Sequence, residues 1–194
     1  MNTPGLRERK KLKTRKAIQD NAERLFTEKG YEATTTEQIA AAAEVSPSTF
    51  FRYFRTKEDV VVGEEYDPVM LDAVKNMPGD MEPLAGLRAA VPAALGRYPA
   101  EDEQILAFTK LAFDVPGISA RRMEHAYNTQ RMIAETLTER LGRDGDDLEV
   151  HTFAAAVTGA WSSALYVWAR NDGRQDLAEL VDRALALLES RLRL

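Results

Sequence analysis

Cysteine is absent from the 194-residue chain. That excludes disulfides, a thiolate zinc site and a cysteine nucleophile, and it fits a reducing cytoplasm, where the chain is expected to work. Histidine is nearly as scarce: His125 and His151 lie far apart and lack the i, i+4 spacing of a helical metal site. No metal and no cofactor are therefore expected. No apolar run reaches the length of a membrane span, and no apolar stretch follows the basic segment at residues 7–16 as it does in a secretory signal. Strand signals are almost missing, because the one β-branched run, Val60-Val61-Val62, sits inside a helical pattern. Internal repeats and low-complexity stretches are lacking as well. What is present is a hydrophobic content of 44%, ordinary for a globular chain and enough for one to two small helical domains.

The net charge of −5 is unevenly spread. Residues 1–60 hold 12 Lys/Arg against 9 Asp/Glu, whereas the remainder holds 14 against 22. Within the first 16 residues the basic groups outnumber the acidic ones by 7 to 1. A basic head on an acidic body concentrates an attraction for polyanions at one end and repels them from the other. A solvated basic tail is the plain alternative at this level.

Helical punctuation organises the chain. A first helix is predicted over residues 8–29, with Ile18, Ala22, Leu25 and Phe26 on one face and Gly30 supplying the left-handed stop. Thr35 with Gln38 makes a capping box for a short second helix over residues 36–43. Glu44-Val45 leaves room only for a tight turn. Ser46 then caps a third helix with Pro47 at its first position, where a missing N–H does no harm. Thr56 and Asp59 mark the start of a fourth helix, expected from residue 57 to about 75 with a kink near Pro68. Further helices are expected near residues 83–96, 101–113, 118–141, 148–170 and 175–192, separated by Pro/Gly/Asn/Asp turn signals. The fold class is all-α, with about nine helices.

The stretch from Thr35 to Lys57 has the layout of a helix-turn-helix, whose second helix enters the major groove of double-stranded DNA. Phe50 and Phe54 share one face of that helix. Ser48, Phe51, Arg52 and Arg55 are left on the other. A hydroxyl, an aromatic ring and guanidinium groups together suit thymine-methyl contact, base-edge hydrogen bonds and phosphate pairing. The helix starts at Thr35, Ser46 and Thr56 offer N–H groups to phosphates. Lys57, placed where the helix dipole favours an acid, is expected to meet a phosphate.

The run Gly30-Tyr31, Thr34-Thr35, Ile39-Ala40, Val45-Ser46-Pro47-Ser48-Thr49-Phe50-Phe51-Arg52-Tyr53-Phe54 and Lys57-Glu58 resembles the N-terminal head of the TetR family of regulators. The resemblance covers about residues 9–66. It implies a three-helix DNA-binding head there and, over residues 67–194, a helical domain that binds an effector and dimerises through its last two helices. It further implies phosphate contacts at Thr35, Tyr53 and Lys57, and a groove-facing set of Pro47, Ser48, Thr49, Phe51 and Arg52 near the cap Ser46. The chain departs from the common pattern at Glu44, where the family often has Gly, and at Phe50-Phe51, where Leu-Tyr is frequent. Phe51 lacks the hydroxyl and is expected to read methyl groups or sugar faces.

The last two helices carry broad apolar stripes, with Phe153, Val157, Trp161, Ala164, Leu165 and Trp168 on one and Leu177, Leu180, Val181, Ala184, Leu187 and Leu188 on the other. Small residues (Ala154, Ala155, Ala156, Gly159, Ala160, Ser162 and Ser163) would admit a neighbouring helix, which suits a homodimer with a four-helix interface. A hydrophobic small-molecule effector is expected against Met70, Phe108, Phe113, Met123, Tyr127 and Trp161, with Asn128, Gln130 and Arg131 as polar anchors. The Glu65-Tyr66-Asp67-Pro68 stretch is similar to one in relatives that sense acyl-type ligands. The expected function is a repressor released by effector from an inverted-repeat operator. Two other readings stay open: a DNA-binding or interaction module without effector, and a helical enzyme using His125, Glu124 or Asp114. No nucleophile–base pair, metal spacing or phosphate loop supports the enzyme.

Overall fold

The computed structural model describes residues 5–62, 74–78, 81–95 and 103–189. They are helical throughout, with no strand among the described residues. The chain divides into two compact units, Met1–Val62 and Gly63–Leu194.

In the first unit, α1 (Leu6–Lys29) packs against α2 (Thr36–Ala42) and α4 (Lys57–Val62), and α2 packs against α3 (Pro47–Tyr53). The expected face of α1 is the one buried: Ile18 and Ala22 are fully covered, with Leu25 and Phe26 nearly so. They meet Ile39 and Ala40 of α2, Phe50 and Phe54 around α3, and Val60 and Val61 of α4 in a single small core. Gly30 closes α1 at φ 86°, and its N–H donates to the Phe26 carbonyl. The Thr35/Gln38 capping box forms in both directions at 3.2 Å, which satisfies two N–H groups that a short helix would otherwise expose.

Between α2 and α3 the chain turns in a Schellman motif. The Val45 N–H donates to the Ala40 carbonyl at 2.9 Å and the Glu44 N–H to Ala41 at 3.1 Å. That geometry needs a left-handed residue, and Glu44 supplies it at φ 55°. Ser46 caps α3 through its side chain, with Pro47 in the first turn. These local choices fix where α3 begins and which of its faces turns inward.

In the second unit, α8 (Leu148–Arg170) packs against α6 (Glu103–Asp114), α7 (Pro116–Leu141) and α9 (Leu177–Glu189), while α5 (Pro83–Leu95) packs against α9. Phe153, Val157, Trp161, Ala164 and Trp168 of α8 bury one continuous stripe against Ile133, Leu137, Leu180, Val181, Leu185 and Val91. Each large side chain so covered stabilises by about 1.5–3 kcal/mol. Arg88 of α5 ties the layer to α9 through Asp182 at 2.8 and 3.0 Å and through Glu189.

Helix boundaries differ from the sequence expectation where local chemistry intervenes. Pro116 opens α7 instead of breaking it, because at N1 its missing N–H has no intrahelical role. The fourth helix is described over Lys57–Val62, with helical residues again at 74–76. The expected kink at Pro68 lies outside the described residues.

Candidate nucleic-acid interface

Two rings anchor α3. Phe50 is fully buried and Phe54 is 2% exposed, their centroids 6.0 Å apart. The Arg15 guanidinium of α1 covers the Phe54 ring at 4.5 Å. Burying that side forces the remaining positions outward. Pro47, Ser48, Phe51, Arg52 and Arg55 are exposed, and Thr49 and Tyr53 are half-buried at the margins. Phe51 leaves 49% of its surface in water, with its ring edge-on to Phe50 at 5.4 Å.

The helix start carries a hydroxyl cluster. Ser46 Oγ lies 2.9 Å from Ser48 Oγ, donates to Thr49 Oγ1 at 2.9 Å and accepts from the Thr49 N–H at 3.1 Å. Arg52 stands over the Tyr53 ring at 5.5 Å and pairs with no carboxylate among the described residues, so its charge is available. Thr35, exposed at the start of α2, keeps its side chain on the Gln38 N–H. A hydroxyl cluster, an aromatic ring and an unpaired guanidinium on one convex helical face match a groove of base edges and phosphates.

Lys57 makes contacts within the head that its place in the sequence did not suggest. Its Nζ donates to the backbone carbonyls of Tyr31 at 2.7 Å and Thr34 at 3.0 Å, and sits 4.0 Å from the Tyr31 ring centre. The loop between α1 and α2 thus gives the lysine its reason, and no phosphate is needed to explain it. Beside it the Tyr31 hydroxyl donates to Glu58 Oε1 at 2.7 Å. Burial first, then this bond, pushes the Tyr31 phenol well above its ordinary value. Burial works against the Glu58 carboxylate. The Tyr31 hydroxyl and the helix-start N–H nevertheless hold it below the usual carboxylate range. The sequence reading passed over this pair, whose members stand 27 residues apart.

The residues expected around an effector are not brought together. Phe108 and Trp161 are buried at 7% and 8% exposure, but Met123 and Tyr127 of α7 are 64% and 63% exposed. Those two line no cavity within the chain as described. Phe113 is half-buried, its ring 5.2 Å from Tyr166, and borders a cleft of about 240 Å³ with Lys110, Asp114, Ala169, Arg170 and Asp172. That lining is ionic, not apolar. Asn128 and Arg131 are exposed, Arg131 facing Glu135 at 3.5 Å, and Met70 lies outside the described residues. The described residues hold no cluster of metal-ligating side chains and no helix long and apolar enough to cross a membrane.

Residues 18–62 match the family described as bacterial regulatory proteins, tetR family, and residues 81–193 match the MftR C-terminal domain, a TetR-type body that alone spans more than half of the chain. The chain belongs to the TetR family. This TetR-family chain is 37% identical over 154 residues to the HTH-type transcriptional regulator TcmR of Streptomyces glaucescens, covering 75% of itself and 68% of that protein. Among solved structures it is similar to Thermus thermophilus FadR, a TetR-family transcriptional repressor in complex with lauroyl-CoA. The identity is 26%, with 90% and 93% of the two chains covered and a TM-score of 0.54. The fold is shared also with the fatty acid degradation regulator FadR of Bacillus halodurans, at 23% identity, 92% and 99% coverage and a TM-score of 0.60. It is therefore a transcriptional regulator with a helix-turn-helix head and not an enzyme.

Proposed function

We propose that the protein is a homodimeric repressor that holds an inverted-repeat operator with the exposed flank of α3 and lets go when its body takes up an amphipathic effector. The observation that carries the reading is that flank: Phe51, Arg52 and Ser48 exposed beside two fully anchored phenyl rings. On this reading Pro47, Ser48, Thr49, Phe51 and Arg52 face the groove, Thr35, Ser46 and Tyr53 position the head on phosphates, and Lys57 acts by bracing the loop ahead of α2. Residues 9–66 form the DNA-binding unit and residues 67–194 the sensing and dimerising unit.

Repression is supported by the likeness to Thermus thermophilus FadR, and the lauroyl-CoA bound to that protein points to an acyl-type effector class. DNA selects the head spacing that matches successive major grooves, about 34–36 Å apart, and the effector selects another. A coupling of about 1–3 kcal/mol shifts operator affinity on the order of 5- to 150-fold.

The test is fluorescence anisotropy on inverted repeats from the DNA flanking the gene. Phe51→Ala and Arg52→Ala should each weaken binding by about 1–3 kcal/mol, with the dimer and the melting temperature unchanged. Full binding by both variants removes the groove assignment.

A further inference from the structure

Arg122, on α7, is a half-buried guanidinium of the body with no counter-charge among the described residues. Its Nε is closed to solvent with no hydrogen-bond partner. The group makes one hydrogen bond, from Nη1 to Ser162 Oγ of α8 at 2.8 Å, and lies over the Phe113 ring of α6 at 4.3 Å. The neighbouring cations are served differently. Arg121 pairs with Glu124, Arg170 with Asp114 and Lys110 with Asp172, at 2.6, 2.6 and 2.7 Å. The ionic cleft bordered by Phe113 is thus neutralised by its own residues, while Arg122 on the same phenyl ring is not. Burial lowers the pKa of Arg122, and no carboxylate acts in the opposite direction.

Proteins rarely keep a partly desolvated cation unpaired, because the lost hydration is returned only by an anion or a full set of acceptors. A hydroxyl and a ring face satisfy a fraction of a group with five N–H donors in a planar fork. That fork is the shape that takes a carboxylate or a phosphate in two parallel bonds. The surroundings select the rest of the ligand. The Phe113 ring lies against the guanidinium and meets Tyr166 edge to face, a setting for an apolar or aromatic group attached to the anion.

We propose that Arg122 is the anion-recognising group of the body, taking a carboxylate or phosphate oxygen carried on an apolar ligand. This deepens the effector reading and rests on it. The half-buried Phe113 ring turns to open the Nε edge, and Ser162 holds the fork in plane while the ligand enters.

Full-length protein and the variants Arg122→Met and Arg122→Lys are titrated calorimetrically with decanoate, decyl phosphate and 1-decanol, below their micellar range and without DNA. The tryptophans, Trp161 and Trp168, both lie on α8 and report the same events by fluorescence. The wild type should prefer at least one anion to the alcohol by ten-fold or more, and the tighter of the two identifies the headgroup. Arg122→Met should reduce that preference to three-fold or less, with Arg122→Lys between. A binding arginine is a burden on the empty protein, so Arg122→Met should melt at the same temperature or higher and remain dimeric. A purely structural arginine predicts the opposite, a fall in melting temperature of more than about 4 °C. The proposal is overturned by a wild type that binds no probe or shows no preference. It is equally overturned by Arg122→Met retaining the preference, melting lower or losing its partner. Operator binding on the same samples is a separate measurement, so failure there counts against the regulator reading and not against this site.

Discussion

Glu44 is the residue at which the chain pays for its own turn. The Schellman closure of α2 requires positive φ at this position, and a glutamate at φ 55° brings its Cβ close to the following carbonyl. The left-handed conformation disfavours an L residue by roughly 1–2 kcal/mol, whereas glycine loses roughly 0.5–1 kcal/mol of chain entropy on folding. Glu44→Gly is therefore expected to stabilise the head by about 0.5–1 kcal/mol, read as a higher urea midpoint at unchanged slope. A lower midpoint would show that the carboxylate side chain supplies a contact beyond the backbone hydrogen bonds of the turn. At this scale the sequence was highly legible. Thr35 with Gln38 and Thr56 with Asp59 declare their roles by spacing alone, because capping partners stand three residues apart, and Ser46 declares its role by the proline that follows it. The bracing contacts of Lys57 were not legible for the complementary reason: its acceptors, the carbonyls of Tyr31 and Thr34, are 26 and 23 residues away. A dipole rule applied to the first turn of α4 cannot see them.

At the scale of elements, the bonds from α4 to the loop ahead of α2 decide how firmly the head is braced. Replacing Lys57 by Met keeps the apolar stem, removes the lysine's bond to the Thr34 carbonyl and leaves the Tyr31 carbonyl with the Thr34 N–H at 3.2 Å. The expected loss is about 1.5–3 kcal/mol, seen as a lower urea midpoint of the isolated transition of the head. Full stability with weakened operator binding would return Lys57 to a phosphate role. The Tyr31–Glu58 bond adds a pH dependence. The folded state holds the Glu58 carboxylate below its ordinary value of 4.5, so its contribution is complete above that pH and is lost as pH falls through the depressed value. Glu58→Gln should flatten the acid limb of a stability–pH curve by lowering the neutral plateau toward the acid value.

The helices themselves were readable from apolar periodicity, and α8 and α9 carry the expected stripes. The residues expected around an effector are not gathered into one site in the single chain, because helical spacing names a face without naming what covers it. Met123 and Tyr127 stand eleven and seven residues before the buried Ala134, on its side of α7, and are nevertheless exposed. Arg122 could not be singled out either, since only the fold reveals which of many arginines lacks a carboxylate.

At the scale of the whole molecule, the question is what meets the second face of α8. Its heavy side chains go inward, and the opposite stripe, Ala155, Gly159, Ser163, Tyr166 and Val167, stays exposed with Leu187 of α9 at 74%. A stripe of small residues next to exposed apolar ones lets two backbones approach closely, and a two-fold axis would place α8 and α9 of two copies in one four-helix layer. Gly159 distinguishes this arrangement from a bare surface, because a Cβ added there meets nothing within 4 Å in the single chain. Were the face free, Gly159→Ala would simply gain helix propensity, about 0.8–1 kcal/mol. With a second copy against it, Gly159→Ala should gain less than that or lose stability. Gly159→Glu should bring like charges together at the seam and yield folded monomers in sedimentation equilibrium. Those monomers carry a single α3 each and can occupy only one half-site. Their operator affinity should therefore fall by a hundred-fold or more, because the second head no longer binds as part of the same molecule. A dimeric Gly159→Glu protein with full operator affinity would place the two-fold seam elsewhere on the body.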